Sequence, residues 1–291
     1  MNLYYLFLTN AELYYFVAGV TGLLVGSFLN VVIYRLPVMM EREWHAECNQ
    51  FLGLATENGT REPTFNLVVP GSTCPQCGHK IGPLENIPVA SYLMLGGKCR
   101  ACKTTISLRY PLVEIVTGLL TLVVAMHFGV TMQALMAAVL TWSLIALTVI
   151  DYDHQLLPDS ITFPVLWLGI ICNMFGLYTN THASLVGAIA GYLVLWTVYF
   201  TFKLITGRVG MGHGDFKLLA LLGAWAGWQS LPIIIIVSSL LGSIIGIGLI
   251  MFSGHNKNQP IPFGPYLALA GWLALLYGTE LTRAYYKLMP G

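Results

Sequence analysis

The sequence predicts an all-α polytopic membrane protein, with about eight transmembrane helices and one cysteine-bearing polar loop domain. Three observations predict it. Only 27 of the 291 residues carry a full charge, 14 Lys or Arg and 13 Asp or Glu. That is too little polar material to cover a soluble globule. Hydrophobic residues make up 56% and the mean hydropathy is +0.70. The charges are also clustered: residues 35–110 hold 14 of them, and the other 215 positions share 13. The same figures exclude a disordered chain, a collagen-like repeat and a secreted disulfide scaffold. A net charge of +1 provides no basic surface for nucleic acid.

The charge distribution divides the chain into a first transmembrane segment at 1–34, a polar loop domain at 35–110 and a hydrophobic remainder at 111–291. Eight apolar stretches read as spans: 12–34, 111–128, 131–150, 161–178, 184–204, 216–229, 231–252 and 263–282. The first ends at Arg35. The second follows Arg109. The third is closed by Asp151, and the fourth opens just after Asp159. The sixth is short and fits a tilted or partly inserted helix. The first segment does not read as a cleaved signal peptide, because it has neither a basic start nor a small-residue cleavage site. Its aromatics Tyr4, Tyr5, Tyr14, Tyr15 and Phe16 fit an interfacial belt.

Topology follows from the cations. With eight spans, the loops 35–110, 151–160, 205–215 and 253–262 share one side. Counted with the span ends, that side holds Arg35, Arg42, Arg61, Lys80, Lys98, Arg100, Lys103, Arg109, Lys203, Arg208, Lys217 and Lys257. The other side holds Arg283 and Lys287. This bias places the polar loop in the cytoplasm and both chain ends outside.

Within the polar loop, Cys74-Pro-Gln-Cys77 and Cys99-Arg-Ala-Cys102 are separated by 21 residues. Two CxxC turns at this separation read as a four-thiolate zinc ribbon, since each turn presents two sulfurs to one tetrahedral ion. Four cysteines close the shell, which points to a structural ion, and Lys80, Lys98, Arg100 and Lys103 offset its net negative charge. An iron–sulfur centre and redox or unpaired thiols are the other readings. Disulfides are disfavoured in a reducing cytoplasm. Cys48 and Cys172 read as ordinary thiols. Glu41, Glu43, Glu47, Glu57 and Glu62 read as a solvated acidic surface that could also attract a basic ligand.

The chain has four aspartates: Asp151, Asp153 and Asp159 in one cytoplasmic loop, and Asp215 in another. Both loops stand where a span meets the bilayer boundary, and an ionisable group there is a functional candidate. Two carboxylates sharing a site titrate as a coupled pair, so that one takes a proton from water while the other polarises a carbonyl. The glycines of Gly210-Met211-Gly212-His213-Gly214-Asp215 fit close backbone approach. Pattern alone does not separate Asp151 from Asp153, and Asp159 could instead cap the next helix. Cation or proton transport by the same carboxylates is the rival from another class.

Gly212-His213-Gly214-Asp215 followed by Phe216-Lys217, together with the 150–159 run IDYDHQLLPD, resembles the type IV prepilin peptidase family, relatives of the GxGD membrane aspartyl proteases. The first-span run GSFLNVVIYRLP at 26–37, the twin CxxC loop, Arg109-Tyr110-Pro111-Leu112-Val113-Glu114 and Pro262-Phe263-Gly264-Pro265-Tyr266 extend the resemblance over nearly the whole chain. The resemblance implies Asp151 and Asp215 as the catalytic pair. It implies a bifunctional enzyme that removes the leader of type IV prepilins and type II secretion pseudopilins after a glycine. The same enzyme would then methylate the new N-terminal amine from S-adenosylmethionine. It further implies the bacterial inner membrane, with the active site facing the cytoplasm. No GxGxxG fingerprint follows a strand here, so methyl transfer rests on the resemblance alone. Its site is expected near residues 70–110. His154 could tune the aspartates, and Lys217 could offset the charge of Asp215.

Overall fold

The structure is a computed structural model that describes residues 3–54, 64–253 and 262–288. Glu57, Arg61, Glu62 and Lys257 of the sequence reading lie outside these residues. The described residues are predominantly helical and contain no strand, only two isolated bridging pairs. Each of the eight expected spans overlaps a helix, although 161–178 and 216–229 run past the ends of theirs at Met174 and Ala226. Among the described residues, five stretches are long and apolar enough to cross a membrane: Ala11–Phe51, Arg109–Phe128, Met132–His154, Thr181–Thr206 and Trp228–Leu249. The chain divides into two compact units, residues 1–126 and 127–291.

In the first unit, α1 (Leu3–Thr9) leads into α2 (Ala11–Phe51). At 41 residues, α2 is about 60 Å long, twice the roughly 30 Å of a bilayer core. The helix continues past Arg35 where the sequence reading ends the span. The run 38–51 is rich in Met, Glu and Ala, which favour helix, and Pro37 lies inside the helix without ending it. Glu41, Glu43 and Glu47 are exposed on this extension. The short helix α3 (Ala90–Met94) follows the first CxxC turn, and α4 (Arg109–Phe128) follows the second.

Glycine sets the approach of α2 to α4. A Cβ on Gly26 would lie 2.7 Å from the Glu114 Cα, and one on Gly22 would lie 2.8 Å from the Gly118 Cα. Close backbone contact of this kind suits helices in lipid, where burial of apolar surface supplies little drive for association. Polar ties reinforce the contact. Asn30 Nδ2 donates to the Tyr110 carbonyl at 3.1 Å, and the buried Glu114 carboxylate accepts from the Val89 N–H at 2.7 Å.

The second unit is built around α8. Its helices are α5 (Met132–His154), α6 (Asp159–Met174), α7 (Thr181–Thr206), α8 (His213–Ala226), α9 (Leu231–Ser253) and α10 (Gly264–Leu288), the last kinked at Tyr277. Helix α8 has 14 residues, about 21 Å, shorter than the hydrocarbon core. It is surrounded by protein: Phe216, Leu218, Leu219, Leu221, Ala224 and Trp225 are fully buried. Gly187 and Gly191 let α7 meet it backbone to backbone, since a Cβ on Gly187 would stand 2.2 Å from the Gly223 carbonyl oxygen. The Trp225 indole occupies the space beside Gly169 and donates to the Val165 carbonyl at 2.8 Å.

A short helix buried in protein must still satisfy its terminal carbonyls. Asn173 Nδ2 donates to Ala224 O at 2.8 Å and to Trp225 O at 3.0 Å. Its Oδ1 accepts from the N–H groups of Tyr178 and Thr179 at 3.1 and 3.0 Å. Ser184 Oγ is a second donor to Ala224 O, at 2.6 Å. These contacts fix the far end of α8 and therefore the register of its first turn, where Asp215 stands.

Candidate active site and cysteine cluster

Asp151 lies in the last turn of α5. The helix ends there because Gln155 takes a left-handed conformation, φ 54°, and its N–H closes on the Asp151 carbonyl at 2.9 Å. Asp215 lies in the first turn of α8, where unpaired N–H groups and the helix dipole favour negative charge. Both side chains are buried, with exposures of 6% and 7%. The charge of Asp151 acts on Asp215, so the two carboxyls belong to one electrostatic site. They come from helices 64 positions apart in sequence.

Each carboxyl has a backbone neighbour. Asp151 Oδ2 accepts the Gly264 N–H at 3.0 Å, from the first residue of α10. The Gly212 amide lies against Asp215. Gly214 has a packing reason: a Cβ there would stand 2.8 Å from the Leu157 Cβ, so its absence lets the α5–α6 connection close against α8. A second tie spans the same two segments. Lys217 Nζ donates to both oxygens of Asp159, at 2.7 and 2.8 Å, and lies 5.3 Å from the Phe163 ring centroid.

The four aspartates thus separate by environment. Asp151 and Asp215 come together in the interior. Asp153 is exposed, and Asp159 is the partner of Lys217. Asp159 is not the cap of α6, since Pro158 precedes it at that position. Lys217 therefore offsets Asp159 instead of Asp215. His154 is exposed, and His213 packs among rings, 5.2 Å from Tyr199 and 5.5 Å from Phe216 between centroids.

In the first unit, the sulfurs of Cys74, Cys77, Cys99 and Cys102 all lie within 4.8 Å of one another. Four sulfurs tetrahedrally around zinc at about 2.3 Å stand about 3.8 Å apart, and Cys74 and Cys102 are separated by 3.8 Å. The donor set fits zinc in chemistry and in size. Two equivalent turns build it. Cys74 N–H donates to His79 O and Gly78 N–H to Cys74 O, each at 2.9 Å; Cys99 N–H donates to Thr104 O at 2.8 Å and Lys103 N–H to Cys99 O at 3.0 Å. Gly78 and Lys103 both have positive φ, 69° and 60°. The bridges Thr73–Lys80 and Lys98–Thr105 close the two turns alike. The Thr104 hydroxyl and N–H draw the Cys102 thiol down to about 6, while burial and the neighbouring thiols push Cys77 up to about 11.

Sequence reasoning passed over Glu85, which ties the two turns together. It meets His79 Nε2 at 3.1 Å and Arg100 Nη1 at 3.2 Å, one partner from each turn. His79 first, then Arg100, hold its carboxyl below the usual carboxylate range. Its position as an acid between two cysteine pairs flanked by cations was the available signal.

An all-helical membrane protein with a buried carboxylate pair and a four-thiolate cluster defines a narrow class. Residues 20–128 match the bacterial peptidase A24 N-terminal domain, and residues 138–247 match the type IV leader peptidase family. The prepilin leader peptidase/N-methyltransferase of Pseudomonas aeruginosa is 58% identical over 264 residues, covering 91% of this chain and 90% of the relative. The protein of the same name from Aeromonas hydrophila is 54% identical, covering 94% of each. That of Dichelobacter nodosus is 49% identical, covering 93% and 94%. The chain belongs to the type IV leader peptidase family. No solved structure matches it.

Proposed function

We propose that this chain is a prepilin leader peptidase and N-methyltransferase of the bacterial inner membrane, and that Asp151 and Asp215 carry out the peptidase step. The observation that carries this reading is the joint burial of these two carboxyls at helix ends, at 6% and 7% exposure, while Asp153 stays exposed. Two like charges in one buried site share a proton. The ionised carboxylate takes a proton from the attacking water, and the protonated one donates to the carbonyl oxygen of the scissile peptide.

The substrate chemistry follows the site. A prepilin or pseudopilin presents a short basic leader, a glycine at the cut, and a hydrophobic helix. The excess of Lys and Arg on one set of loops supports a position of the aspartates at the cytoplasmic boundary, where such a helix would leave the bilayer. Cys74, Cys77, Cys99 and Cys102 would hold a structural zinc ion that orders a loop domain with little apolar core. Double replacement of Cys74 and Cys77 by Ser should remove bound zinc from the purified protein. Full metal content in that variant, measured by elemental analysis, would remove the zinc assignment.

The methyl donor, S-adenosylmethionine, supplies an electrophilic methyl group for the amine freed by cleavage. The described residues contain no strand and so no glycine-rich strand–helix cradle for a nucleotide. No residue is assigned to the donor. The test of the whole reading is incubation of the purified protein with a synthetic prepilin and S-adenosylmethionine, followed by mass measurement. Loss of the leader and gain of one methyl support it. An unchanged mass overturns it.

A further inference from the structure

We propose that Gly264 is a positioning residue for Asp151, acting through its backbone N–H and through its lack of a side chain. The inference rests on the peptidase reading above. Gly264 is the first residue of α10. The first N–H groups of a helix have no partner within it. Pro265, the next residue, has no N–H to offer. The Gly264 N–H is therefore free, and it donates to Asp151 Oδ2 at 3.0 Å across 113 positions of sequence. In effect the α5 carboxylate caps α10, at the helix end where negative charge is favoured.

This contact leaves the two oxygens of Asp151 unequal. Oδ2 is held by Gly264, and among the described residues Oδ1 makes no hydrogen bond. The pinned oxygen fixes the plane of the carboxyl, and the other is left to face water, substrate or Asp215. A side chain at this position would force a shift. A Cβ at position 264 would lie 2.5 Å from Oδ2, 3.1 Å from Cγ and 3.5 Å from Cβ of Asp151. Asp151 is too enclosed to step aside freely, so either its carboxyl turns or the start of α10 shifts. Both outcomes move a reacting oxygen, and a displacement of about 1 Å can cost on the order of a hundredfold in rate.

Gly264→Ala tests this in the full-length protein in detergent, with a synthetic prepilin as substrate. The positioning role predicts a fall in kcat of about a hundredfold with KM changed by less than about threefold. Methyl transfer to a pre-cleaved pilin peptide, read on the same preparation, should stay near the wild-type rate. Gly248→Ala is the control, since a Cβ at Gly248 meets nothing within 4 Å, and it should leave both activities intact. Wild-type kcat in Gly264→Ala would overturn the proposal while leaving the peptidase reading standing. Equal loss of cleavage and methyl transfer would also overturn it, because that pattern marks a general folding defect. Failure of the wild-type protein to cleave prepilin at all would instead sink the peptidase reading.

Discussion

At the scale of single residues, Asp151 and Asp215 differ from the other acids by their surroundings. Both are buried, both have a glycine amide beside the carboxyl, and the charge of Asp151 acts on Asp215. Asparagine keeps the size of aspartate and one carbonyl acceptor but cannot exchange a proton. Asp151→Asn can therefore still accept the Gly264 N–H, and Asp215→Asn preserves the packing of α8. Each variant should lose at least about a hundredfold in prepilin cleavage while keeping its thermal unfolding midpoint within a few degrees of wild type. Removal of one of two like charges from a buried site can even raise that midpoint. Retained cleavage in either variant would contradict the assignment. The pairing of Asp151 with Asp215 was legible in the sequence only through the resemblance, since spacing alone did not separate Asp151 from its neighbour Asp153. The separation is a matter of helix phase: Asp151 falls on the inward face of the last turn of α5, and two positions later the side chain points outward.

At the scale of elements, the site depends on fixing both ends of α8. Its far end is held by Asn173, which makes four hydrogen bonds, two to carbonyls of α8 and two from N–H groups of the following turn. Asn173→Ala would leave the Trp225 carbonyl and the half-buried Tyr178 and Thr179 N–H groups without this partner, at up to about 1–3 kcal/mol each, while Ala224 O keeps Ser184 Oγ. The predicted result is a drop in unfolding midpoint together with a parallel loss of both activities. A stability equal to wild type would show that the cap is dispensable. The near end is held by Gly214 against Leu157 and by Lys217 with Asp159. The pair is partly exposed, with side-chain exposures of 27% and 52%, so its contribution is small, under about 1 kcal/mol. Gly214→Ala should therefore harm cleavage far more than Asp159→Ala does, and side-by-side rates of the two variants check the ranking. The helices themselves were visible in the sequence, because apolar runs bounded by charges mark them directly. The sequence did not show Asn173 as a cap, because its two carbonyl partners, 51 and 52 positions away, are set by tertiary folding.

At the scale of the whole chain, the scarcity of charge acquires a structure. Residues 35–110 were read as one loop domain, yet α2 runs through the boundary to Phe51. Apolar content ended the span at Arg35, but helix propensity, not apolarity, decides where the helix stops. The CxxC spacing already implied a four-sulfur site. The internal likeness of the two turns was hidden, because it resides in backbone hydrogen bonds and positive φ angles that Gly78 and Lys103 share without sharing chemistry. The family matches fall on both units, at residues 20–128 and 138–247. The most direct test of the central claim is the mass of a synthetic prepilin after incubation with wild-type, Asp151→Asn and Asp215→Asn proteins. The account predicts loss of the leader with wild type and an intact prepilin with either variant. Leader removal by the Asp215→Asn protein at the wild-type rate would contradict it.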